Sequence, residues 1–191
     1  MDMMINYLLQ KNSNQEITGV YDGFVFDNQG EKVQPFSIYD SLTDPDNPNS
    51  LSTYAKTFML MLDVMAEYHD MTGKGKEDIT RLSQTYMRNL EQRNIIPDYI
   101  DFGNSLPSTK VDRINNLPLT MYFWIMTEHP NIFSHKDIAQ VIPHVLKIAD
   151  LSESEGIIGN ASLSNQTQLS KTIVAAHYFL KGFYNIANRE N

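Results

Sequence analysis

The feature that most constrains this chain is a helical apolar rhythm that comes in two alternating kinds. From Leu51 the positions Leu51, Tyr54, Ala55, Phe58, Leu62, Met65 and Ala66 recur at helical spacing, and Leu60, Met61 and Val64 add a second apolar face. A helix apolar on two faces expects neighbours on both. The next stretch carries a single stripe, Ile79, Leu82, Tyr86, Met87 and Leu90, while Arg81, Gln84, Arg88 and Glu91 fall where water can reach them. Between the two, Thr72, Gly73, Lys74 and Gly75 spell a helix stop, because glycine takes the left-handed backbone that closes a helix end.

The alternation then repeats. Residues 111–127 are apolar nearly all round, with Ile114, Leu117, Leu119, Met121, Tyr122, Phe123, Trp124, Ile125 and Met126, so a second two-sided helix is predicted, its start delayed by Pro118. Trp124, in the middle of that helix, is expected in the core. After His129 and Pro130, Ser134 with Asp137 three residues on predicts a capped helix start, and Ile138, Val141, Ile142, Val145 and Ile148 give one stripe, with a kink expected at Pro143. Leu169, Ile173, Val174, Ala176, Tyr178, Phe179, Leu180 and Phe183 form a third broadly apolar helix.

Connections alternate as well: short turns lead to the one-sided helices, and long irregular segments, about residues 16–50, 97–108 and 151–168, precede the two-sided ones. These segments share a loose signature, Gly19 to Gly23, Pro97 to Asp101 and Gly156 to Asn160, as expected of stacked helical hairpins. The pattern predicts an all-α chain, one domain over residues 1–191, with its hairpins set as an (α/α) toroid or half-toroid. Three hairpins are half of a six-hairpin ring. The chain is therefore expected to be either the C-terminal part of a larger barrel or an open arc whose apolar ends need a protein partner.

Composition removes several function classes. A formal charge of −8 without a Lys/Arg cluster argues against nucleic acid, whose phosphates call for clustered cations. The apolar opening, residues 1–10, is far shorter than the roughly 20 residues a membrane span needs, so no span is expected. With no cysteine there is no thiolate ligand, and His69, His129, His135, His144 and His177 lack the spacing of a zinc helix, so no metal and no cofactor are expected. Gly73 and Gly75 flank a lysine with no preceding strand, which is not a phosphate loop.

The richest chemistry lies in the first long segment, where Tyr21, Asp22, Phe24, Phe26, Asp27, Phe36, Tyr39, Asp40, Asp44 and Asp46 fall close together. Aromatic faces stack on sugar rings, and carboxylates accept hydroxyl protons or serve as acid and base in glycoside hydrolysis. The same residue types also build turns, as Asp44 to Asn49 does. Tyr21, Asp22 and Tyr39, with Asp98, Tyr99 and Asp101 of the second segment, are the candidate substrate-binding residues.

The hairpin pattern, with Ser37, Ile38, Tyr39, Asp40 and Ser41 just ahead of a two-sided helix, resembles the (α/α)6 glycoside hydrolases of the family 8 type. The resemblance implies that Asp40, in the Tyr-Asp pair, is the general base that activates water, and that Glu155, in Ser154-Glu155-Gly156, matches the acid's tripeptide. Where the family often has an Arg and a Pro after the pair, this chain has Leu42, Thr43, Asp44 and Pro45; Glu155 also follows Asp40 along the chain, whereas the family's acid comes first. The resemblance implies a glycoside hydrolase-like protein that binds or cleaves a polysaccharide or oligosaccharide, placed outside the cell or at its surface if it belongs to a secreted hydrolase and in the cytoplasm otherwise. The alternative is a non-catalytic helical protein-interaction module.

Overall fold

The computed structural model describes residues 9–11, 13–20, 23–26, 32–36, 52–93, 99–102, 117–155 and 166–189. Among the described residues the framework is all-α, with five helices: α1 (Ala55–Thr72), α2 (Lys76–Arg93), α3 (Leu117–Glu128), α4 (His135–Glu155) and α5 (Gln166–Arg189). The chain divides into two compact units, Met1–Met65 with Glu77–Val111 and Ala66–Lys76 with Asp112–Asn191.

The first unit holds the first part of α1, the helix α2 and three short antiparallel ribbons that the periodicity did not predict. β1 (Leu9–Lys11) pairs with β2 (Ile17–Val20), β3 (Gly23–Phe26) with β4 (Lys32–Phe36), and β5 (Ser52–Tyr54) with β6 (Tyr99–Asp101). Each strand has only three to five residues. In the first ribbon Leu9 lies opposite Val20, and both are buried. Lys11 reaches Asp78 of α2 at 2.9 Å, and the Arg81 Nη1 donates to the Gln15 carbonyl at 3.1 Å, where Gln15 holds a left-handed φ of 63°. The ribbon is thus tied to α2 by one ion pair and one backbone cap.

Helix α2 buries the stripe expected of it, Ile79, Leu82, Tyr86 and Leu90, together with Asn89, whose amide donates to the Thr85 carbonyl at 2.8 Å. Phe58 of α1 sits against Tyr86 at 6.2 Å and against Phe102, just past β6, at 5.9 Å between ring centroids. Ile100 of β6 is also fully buried. Helix α1 begins at Ala55 rather than Leu51, because residues 52–54 extend to pair with β6. The expectation that α1 is covered on two sides holds only in part: Met61 is buried, whereas Leu60 and Val64 are exposed.

The helix stop after α1 is as expected. Gly73 and Gly75 take φ values of 72° and 81°, and the Gly73 amide donates to the His69 carbonyl at 2.7 Å. The Thr72 hydroxyl donates to the Tyr68 carbonyl and accepts from the Lys74 amide, which satisfies groups the helix end leaves over.

In the second unit α3 is the central element. It starts at Leu117 with Pro118 in its first turn, where a missing N–H costs nothing, and ten of its residues are buried. Helix α4 begins with the predicted cap: the Asp137 amide donates to Ser134 Oγ at 3.3 Å while Asp137 Oδ2 accepts from the Ser134 amide at 2.8 Å and its hydroxyl at 2.6 Å. Ile138, Val141 and Val145 turn inward. The helix runs on to Glu155, so residues 151–155, expected as irregular chain, are helical.

Helix α5 packs on α3 through Gly182 and Phe183, with Phe123 and Phe183 at 5.0 Å between centroids and Phe179 a further 5.0 Å from Phe183; Ala175 of α5 is also buried. Gly182 permits that approach, since a Cβ there would lie 2.5 Å from the Phe123 ring. Helix α5 is not a two-sided buried helix as expected: Ile173, Leu180 and Tyr184 are exposed at 60%, 65% and 69%.

Candidate functional site

Three arrangements among the described residues could serve a function, and their burial separates them. The first is a His-carboxylate pair in the second unit. His129 follows α3 directly, its ring 2.7 Å through Nδ1 from Asp70 Oδ2 near the end of α1. An ionised carboxylate offers only acceptors, so this pairing makes Nδ1 the donor. Such a pair can orient an imidazole for base catalysis, but His129 is only 2% exposed and its backbone is occupied in turning the chain. Its amide donates to the Ile125 carbonyl, and its carbonyl accepts from the Ile132 and Phe133 amides. The pair is an anchor of the helix end.

The second arrangement joins α3 to α5 through polar and aromatic groups. Trp124, expected in the core, is the one residue of α3 before its last that is only half-buried. The reason is its company: Tyr178 lies at 5.0 Å between centroids, Lys181 Nζ at 4.7 Å over the ring, and Nε1 donates to Glu128 Oε2 at 3.2 Å. An indole at a helix face needs both an apolar neighbour and an acceptor, and this position supplies them. Asn185 donates to the same Glu128 oxygen at 2.7 Å, and Arg189 donates to the carbonyls of Met126 and Thr127 at the end of α3. Burial holds the Arg189 guanidinium below its usual pKa, and the nearby Glu128 carboxylate offsets only part of that. A cation on the last carbonyls of a helix complements its dipole, so this cluster clamps α3 to α5.

The third arrangement is apolar and open. Of the large apolar side chains left exposed among the described residues, all but Leu146 lie on α1 or α5: Leu60, Val64 and Met71 on the first, Ile173, Val174, Leu180 and Tyr184 on the second. Leu60, Val64 and Met71 share one helical face, as do Ile173, Leu180 and Tyr184. Large apolar surface is here concentrated on two helix faces instead of scattered singly, and such concentration needs a physical reason that single exposed residues do not. The spacing shows both faces as apolar and predicts them in the interior, whereas these positions are exposed.

Of the residues singled out from the sequence, Tyr21, Asp22, Tyr39, Asp40 and Asp98 lie outside the described residues. Tyr99 and Asp101 belong to β6, paired in register with Tyr54 and Ser52. Glu155 is the last residue of α4. The described residues contain no group of three or more His, Asp or Glu side chains able to hold a metal, and none of their helices is long and apolar enough to cross a membrane. Comparison with family models, curated proteins and solved structures finds no match to this chain.

Proposed function

We propose that this protein is a helical interaction module whose working surfaces are the apolar face of α1 and the apolar face of α5. The observation that carries this reading is that, among the described residues, all the exposed large apolar side chains but Leu146 fall on those two helices. They are the first and the last described helices of the series. Burying a leucine or tyrosine side chain contributes about 1.5–3 kcal/mol, so six such positions give ample drive for association. The polar arrangements support the same reading, because the His129 pair and the Trp124 cluster are spent on holding helix ends together.

Peroxide labelling of the chain at high dilution tests this. Met71 is 64% exposed, whereas Met59, Met61 and Met65 on the same helix are at most 5% exposed, so Met71 is expected to form its sulfoxide well before the other three. Equal resistance of all four would mean that the α1 face is covered within the chain, and would contradict the reading. Glycan binding that is lost in Asp40→Asn would instead favour the carbohydrate reading, which rests on the Tyr39-Asp40 pair and the aromatics around it.

A further inference from the structure

On α1 the exposed face runs Leu60, Val64, Glu67, Met71, and on α5 it runs Ile173, His177, Leu180, Tyr184, all eight exposed and both sets spaced four, three, four. That is the spacing of a coiled-coil seam, which keeps one line of side chains toward a partner helix over successive turns. Laid antiparallel, the two seams meet in the layers Leu60 with Tyr184, Val64 with Leu180, Glu67 with His177, and Met71 with Ile173. Three layers set apolar against apolar. The single polar residue of each seam falls in the remaining layer, a carboxylate against an imidazole. Laid parallel, Glu67 would face Leu180 and His177 would face Val64, and each polar group would lose water for a hydrocarbon partner, which is costly.

We propose that α1 of one chain pairs antiparallel with α5 of a second copy, so that this protein's partner is itself. The inference rests on the interaction reading above and adds the occupant of the surface. Each chain carries one seam of each kind, so copies of this chain supply both partners of the contact. The Glu67 and His177 layer fixes direction and register, the role a lone polar residue plays at a seam otherwise apolar.

The chain has no cysteine, so single introduced cysteines report which residues meet across chains. Val64→Cys in one chain mixed with Leu180→Cys in another is expected to give a disulfide-linked heterodimer on mild oxidation. Val64→Cys mixed with His177→Cys, the parallel pairing, is expected to give little. Glu67→Lys weakens the dimer by about tenfold, and Glu67→His combined with His177→Glu restores it. All of these positions are exposed, and circular dichroism checks that each variant keeps its helices. Equal yields from the two mixtures would overturn the proposal. So would efficient internal closure when Val64→Cys and Leu180→Cys share one chain at high dilution. No heterodimer in either mixture, with Met71 still open to peroxide, would remove self-pairing and leave an interaction module for another partner, whereas an inert Met71 would remove both.

Discussion

Gly182 shows how far a single residue sets the packing of the second unit. Its hydrogen lets α5 close on the ring of Phe123, which is itself fully buried and wedged beside Phe183. Gly182→Ala gains up to about 1 kcal/mol of helix propensity, but the new methyl meets the ring at 2.5 Å, and overpacking of that kind costs about 1–3 kcal/mol. The ring has nowhere to swing, so thermal melting is expected to show a net loss of stability; an unchanged or raised midpoint would mean that the α3 and α5 contact is looser than described. This contact was invisible in the sequence, where Gly182 stands in an apolar helix with nothing to show what it faces. Trp124 departs from its expected place in the core for a related reason. Its neighbours in sequence are apolar, but the partners that bring it toward the surface, Tyr178 and Lys181, come from another helix.

At the scale of elements, the sequence was most legible where burial is one-sided. The stripe of α2 and the start of α4 could be read directly, because amphipathic spacing and a capping box are local signals. Ser134→Ala removes the hydroxyl that caps α4 and one of the two Ser134 groups that donate to Asp137, and is expected to cost about 1 kcal/mol in chemical denaturation. Loss of less than a few tenths would show that the cap carries little. The ribbons are not predicted by helical periodicity, because their signal is of another kind: Gly23 to Phe26 and Lys32 to Phe36 flank Asn28 and Gly30, a combination of aromatic runs and turn residues that signals a hairpin. Both ends of α1 were likewise only half legible: the glycines mark its stop, whereas its start yields to the pairing of Ser52–Tyr54 with β6. The candidate carbohydrate site was not legible as geometry at all, since residue types name a chemistry but the placement of Asp40 relative to a second carboxylate is a matter of tertiary structure.

Over the whole molecule, apolar content and actual burial part company at α1 and α5. The sequence shows that both helices are apolar on two faces, and that much was read correctly. It does not say whether the second face is covered by the same chain or by another, since the hydrophobic effect acts alike within and between molecules. The structure leaves those faces open, and the account turns on whether they are surface or core. The most direct measurement is the circular-dichroism melt of Leu180→Asp beside Leu82→Asp, both at high dilution so that association does not contribute. Leu180 is 65% exposed and Leu82 only 1%, so Leu180→Asp is expected to keep the parent's helical signal and cooperative transition, whereas Leu82→Asp loses both. Unfolding of Leu180→Asp to the same degree as Leu82→Asp would place that face in the chain's own core and contradict the account.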